Sequence, residues 1–175
     1  LHKHTDVIPA DILCLLSCEK VFRNLSLNKH NLVVHESALP KGRGWSPMTW
    51  QIIEGKSEIV ITLFEATDTV DAGVIYMQDT VTFNGTELID EIRREQGEAT
   101  IRLITKFVRK YPDITGKEQI GEPTYYPKRK IDDSMLDINK TILEQINLLR
   151  VVDNEKYPAF FMYKGTKYKI TISKF

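Results

Sequence analysis

Val33-Val34-His35-Glu36-Ser37-Ala38-Leu39-Pro40-Lys41-Gly42-Arg43-Gly44-Trp45-Ser46-Pro47 is the stretch on which the reading of this chain turns. Leu32, Val33 and Val34 make a short apolar run of the kind used by a fully buried parallel strand. His35 follows where such a strand leaves its sheet, and open α/β sheets bind their ligands just outside those carboxyl ends. The loop beyond it is stiff, because Pro40 and Pro47 fix φ while Gly42 and Gly44 permit φ > 0. A titratable ring on a stiff loop at a strand end is what acid/base chemistry requires. A histidine that only packs beside a turn would read the same way.

Working outward, the pattern predicts an α/β body. Asp11 to Ser17 is nearly all apolar and reads as a buried strand, with Glu19 to Asn31 a polar bridge to the next one. After Pro47 a helix is expected over Met48 to Ile53, stopped near Gly55. Ile59 to Phe64 and Val74 to Phe83 read as strands, with Asp68 and Asp71 on the loop between them. Asn84 and Glu87 have the spacing of a capping box, and Leu88, Ile92, Ala99, Leu103 and Phe107 recur at helical spacing as far as Lys110. Tyr111-Pro112 ends that helix. Beyond it the spacing predicts a second helix over Lys140 to Val151. Strands are expected over Ala159 to Tyr163 and Tyr168 to Ile172, joined through Lys164 to Lys167. The expected division is a body over 1–115 and a small α+β appendage over 116–175.

The bulk numbers narrow the class. The 175 residues can build one sizeable core, alone or with a small appendage. Lys+Arg and Asp+Glu are equal at 24 each, so no polybasic nucleic-acid surface is expected. No apolar run approaches the roughly 20 residues of a membrane span, and no basic-then-apolar leader opens the chain. Cys14 and Cys18 lie in one short apolar segment, which fits small packed thiols in a reducing cytoplasm. Two thiols are too few for a zinc site, and no metal is expected.

Three stretches offer chemistry. His35 is the first. Asp68 and Asp71 are the second; an Asp there could orient the imidazole if the two strands share a sheet, and both could equally be solvated turn residues. The third is Tyr125-Tyr126-Pro127-Lys128-Arg129, where rings beside cations suit a base-plus-phosphate ligand, or simply pack a loop on the body. Gly42-Arg43-Gly44 lacks the spacing of a dinucleotide or P-loop motif, and neither Ser37 nor Ser46 sits in a nucleophile elbow.

His35-Glu36-Ser37-Ala38-Leu39-Pro40, followed by Gly42-Arg43-Gly44, Pro47 and Trp50, resembles the His-x-Ser-Leu-Leu-Pro signature of the formyltransferases that use N10-formyltetrahydrofolate. Val70-Asp71-Ala72-Gly73 is similar to that family's Leu-Asp-Thr-Gly motif, and the resemblance spans roughly residues 10 to 111. The C-terminal Tyr125 to Arg129, Asn147-Leu148-Leu149-Arg150 and Tyr157-Pro158-Ala159-Phe160 look like the appendage of formyltransferases acting on nucleotide-linked amino sugars.

The resemblance implies a Rossmann-like core, lacking here the β-α-β unit that precedes Asp11 in the family. It implies a formyl transfer from N10-formyltetrahydrofolate to a primary amine, that of a nucleotide-linked sugar. The alternatives are initiator methionyl-tRNA as acceptor, and a weakened folate- or nucleotide-binding relative. His35 and Asp71 are the implied catalytic pair. Ser17, Glu19, Asp68, Val70 and Gly73 are implied on the folate side, and Tyr126, Lys128 and Arg150 on the acceptor side. A homodimer is a further expectation. One departure is plain: the family's catalytic Asn, two residues before the His, is Val33 here, and Asn31 is out of register for that task.

Overall fold

The computed structural model describes residues 4–18 and 21–175. Its centre is a four-stranded mixed sheet in the order β1-β2-β4-β5. Strands β1 (Ile12–Leu15) and β2 (His30–His35) are parallel, with Ile12 opposite His30. β2 is antiparallel to β4 (Glu58–Glu65), which is antiparallel to β5 (Ile75–Thr82). The expected strand ending at His35 is therefore present, but it is parallel to only one neighbour. Helix α1 (Pro47–Ile53) follows the His35 loop, with a proline in its first turn and Gly55 at φ +87° just past its end.

Helix α2 (Ile89–Lys110) covers the sheet. Ile92, Ala99, Leu103 and Phe107 are buried, facing Ile59, Ile61 and Leu63 of β4. This is the apolar stripe that the spacing predicts. Its start is four residues later than the capping pattern suggests. Asn84 and Glu87 instead close a separate turn, in which Glu87 accepts the backbone N–H groups of Asn84 and Gly85. Gly85 at φ +95° cannot continue into a helix. The helix begins where the same spacing repeats, with Glu91 accepting the N–H of Leu88 at 2.8 Å.

The C-terminal part departs further from expectation. Two-residue strands β3 (Arg43–Gly44) and β6 (Tyr125–Tyr126) pair in parallel, so the aromatic-basic stretch is stitched to the loop after His35. The second helix is short: Thr141 and Glu144 cap a 3₁₀ turn, and α3 is only Ile146–Val151. Ile142, expected on its apolar face, is exposed. β7 (Ala159–Tyr163) and β8 (Thr166–Ile170) form a hairpin. Its loop is Lys164-Gly165 alone, both at positive φ as a tight twisted hairpin turn requires, so β8 starts two residues earlier than expected. Leu136, Leu149, Val152 and Ala159 form a small core of their own, while Val151 enters the main one. Cys14 packs against the main core as expected, whereas Cys18 is exposed.

Beyond α3, Asp153 ties the C-terminal part to α2. Its carboxylate accepts the N–H groups of Lys156 and Glu155 and an Arg93 Nη2–H at 2.8 Å. The Lys156 N–H and the Arg93 guanidinium hold its pKa down at about 2. A folded value below the unfolded one means stability that is present above about pH 3.8 and lost as the pH falls through about 2. Replacing Asp153 with Asn is expected to cost about 1 kcal/mol at pH 7. Thermal unfolding at pH 7 and pH 2 checks this: the gap between variant and wild type should close in acid, and an equal gap at both would refute it.

Candidate active site

His35 is the last residue of β2 and is buried. Its Nε2 lies 2.7 Å from the Gly42 carbonyl oxygen. A carbonyl only accepts, so Nε2 carries the proton, and the neutral ring keeps its lone pair on Nδ1. Asp71 Oδ2 stands 3.8 Å from the same Nε2. That carboxylate is itself held, accepting the Gly44 N–H at 2.8 Å. Asp71 is at φ +53°, a left-handed conformation that Asp tolerates better than most residues. The imidazole and the carboxylate, 36 positions apart in sequence, thus share one wall of a cavity.

Backbone packing sets this geometry. Gly44 at φ +103° lies so close to the Tyr126 carbonyl that a Cβ would overlap it. A Cβ on Gly73 would likewise fall into the Glu65 carbonyl. A strap from the C-terminal part then locks both loops. Thr124 accepts the Gly42 and Arg43 N–H groups through its hydroxyl and carbonyl, and the Tyr126 carbonyl accepts that of Trp45. Gln119 donates to the carbonyls of Asp71 and Gly73 and accepts from Arg43 at 2.7 Å, joining the His35 loop to the Asp71 loop. From below, the hydroxyl of buried Thr62 donates to the Ser37 carbonyl at 2.6 Å.

The cavity holds about 340 Å³. Leu15, Leu16, Phe22, Val33, Phe64 and Val70 give it apolar walls, and His35, Glu36, Asp71 and Gln96 are among its polar groups. A slot of this kind suits a flat heteroaromatic ring with a few fixed polar partners. A second cavity, about 400 Å³, adjoins it and shares Cys18, Trp45, Ser46 and Gln96. Arg93, Lys128 and Arg129 line that second space. Arg129 is half-buried and donates to Ser134 and the Val151 carbonyl, and burial pushes its guanidinium pKa down.

The sequence-derived candidates divide accordingly. His35 and Asp71 meet. Ser17 and Val70 line the first cavity. Glu19 lies outside the described residues. Asp68 is exposed and does not line the cavity, and Gly73 is used to let the Asp71 loop pack on Glu65. On the acceptor side, Lys128 is exposed at the second cavity. Tyr126 donates its hydroxyl to Glu54 and belongs to the strap. Arg150 is buried, donating to the Glu87 carboxylate and carbonyl and to Asn147, so it joins the Asn84–Glu87 turn to α3 and faces neither cavity.

Glu36, Gln96, Gln119 and Thr124 were not among the sequence candidates. Only Gln96 carried a sequence signal: it interrupts the apolar stripe of α2 between Ile92 and Ala99.

Known proteins resemble this chain in sequence and in fold. Residues 1–106 match the family model described as formyl transferase. A methionyl-tRNA formyltransferase from Thermodesulfovibrio yellowstonii is 30% identical over 129 residues, 72% of this chain and 42% of that protein. The chain therefore spans about two fifths of that curated relative's length. A 4-N formyltransferase from Francisella tularensis superposes with a TM-score of 0.77 at 22% identity, covering 97% of this chain and 73% of that one. HypX from Aquifex aeolicus in complex with tetrahydrofolic acid gives 0.72 at 18% identity, over 90% of this chain and 28% of that one.

Proposed function

Because the chain belongs to the formyl transferase family, we propose that it moves a formyl group from N10-formyltetrahydrofolate to the primary amine of a nucleotide-linked sugar. The observation that carries this reading is the pairing of His35 with Asp71 on the wall of a mostly apolar cavity. The pteridine fits the slot between Phe22, Val33, Phe64 and Val70, with Ser17 at its rim. His35 steadies the oxyanion that forms when the amine adds to the formyl carbon, and supplies a proton to the departing nitrogen. Asp71, 3.8 Å from Nε2, keeps the ring oriented. Holding donor and acceptor side by side supplies much of the remaining rate.

The acceptor belongs in the adjoining cavity, whose Arg93, Lys128 and Arg129 suit phosphate groups. The name of a sugar N-formyltransferase from Shewanella sp., which superposes with a TM-score of 0.73 at 19% identity over 93% of this chain and 69% of that one, points to a sugar amine, and that of the curated relative points to methionyl-tRNA. Equal numbers of acidic and basic residues favour the smaller acceptor. The test is to offer the protein N10-formyltetrahydrofolate with UDP- and dTDP-linked 4-amino sugars and, separately, methionyl-tRNA, following tetrahydrofolate release. Release that depends on an amino sugar is expected. Release that depends on methionyl-tRNA and fades steeply with salt would move the assignment to tRNA, and no release with any acceptor would end it.

A further inference from the structure

The His35–Asp71 pair leaves one carboxyl group of the cavity unused. Glu36 follows His35 directly and lines the same space. Its Oε1 accepts an N–H from Gln96 at 2.5 Å, and its backbone carbonyl accepts one from Gln51 at 2.6 Å. Gln96 sits on the sheet-facing stripe of α2, one turn from buried Ile92 and Ala99, and is part of the wall of both cavities. Val33 shares the first cavity and offers no polar atom. The charged groups facing Glu36 are His35 on its own loop and Asp71 on the loop after β4, while α1 and α2 contribute the neutral amides of Gln51 and Gln96.

Resting on the formyl-transfer reading, we propose that Glu36, held by Gln96 where α2 walls both cavities, takes the proton that the attacking amine loses. In the transfer, a bond forms between the amine nitrogen and the formyl carbon, and the bond from that carbon to N10 breaks. The amine gives up one proton and N10 gains one. Glu36 receives the first; His35, entering the step as the imidazolium, delivers the second and leaves as the neutral ring; exchange with solvent resets both. Burial pushes the Glu36 carboxyl up, with the His35 ring and the Gln96 amide pulling it part of the way back. A carboxyl raised in this way works as a base closer to neutral pH than an exposed one.

The test compares wild type with Glu36→Gln and Gln96→Leu. The kcat/KM for formyl transfer is measured from pH 5 to 9, with N10-formyltetrahydrofolate and a UDP-linked 4-amino sugar as acceptor probe. Glu36→Gln is expected to lower kcat/KM about 100-fold. It should abolish the acidic limb of the profile and leave the KM for the folate unchanged. Gln96→Leu removes a hydrogen bond to the ionised carboxyl, so its acidic limb should move to higher pH. A purely structural role would lower the rate without moving the limb. An unchanged profile in Glu36→Gln overturns this proposal alone. Should that variant not fold, an unmoved limb in Gln96→Leu overturns it. Absence of transfer by the wild type overturns this proposal and the functional reading together.

Discussion

Replacing His35 with Gln is expected to lower formyl transfer by about 10³-fold or more, within the range that a positioned acid/base group contributes. Glutamine is the informative substitute. Its amide can still donate to the Gly42 carbonyl, the bond that His35 Nε2 makes at 2.7 Å, so the loop keeps its anchor. What glutamine lacks is a titratable nitrogen. The ring is also buried at the end of β2, where a smaller residue would leave a void and confuse loss of chemistry with loss of packing. Folate binding and the thermal midpoint should therefore stay close to wild type while turnover collapses. Measured together, the three readings separate the causes. Turnover within about tenfold of wild type would remove His35 from the reaction.

The parts of this site that were legible in the sequence are those whose physics is local. A strand end, two prolines and two glycines around His35 announce a rigid loop within fifteen residues, and the structure has that loop. The α2 stripe was legible for the same reason, since its period is carried by neighbours in sequence. The strap was not. β3 and β6 are two residues each, too short to show any alternation, and their pairing joins positions about 80 apart. Hence Tyr125 to Arg129 read equally as a ligand-binding stretch and as a loop packed on the body, and nothing local showed that Tyr125 and Tyr126 pair with Arg43 and Gly44 of the His35 loop.

Arg150 stands on the acceptor side only through the resemblance of Asn147-Leu148-Leu149-Arg150. In the structure Glu87, on a turn 63 positions away, holds it as a buried ion pair at 3.0 Å. That pairing is tertiary, and the local reading of Glu87 as a helix cap gave no sign of it. Gln119 had no signal at all: its value lies in reaching two loops at once, a fact of tertiary placement.

Asp71→Asn is the other substitution expected to have a large effect, about 100-fold or more on turnover. The change is nearly isosteric, and Asn tolerates the left-handed φ of +53° as well as Asp does. Its amide oxygen can still accept the Gly44 N–H, so the Asp71 and His35 loops stay joined. Gln119 grips the backbone carbonyl of residue 71 and does not sense the side chain. Only the negative charge beside the imidazole, 3.8 Å from Nε2, is removed. Folate binding and the thermal midpoint should therefore stay close to wild type while turnover falls. The kcat for formyl transfer, measured beside folate affinity and thermal unfolding, checks this. Turnover within about threefold of wild type, well short of what a group acting on the reacting atoms contributes, would mean that the carboxylate takes no part in the reaction and that the His35–Asp71 pair is two neighbours and not one device.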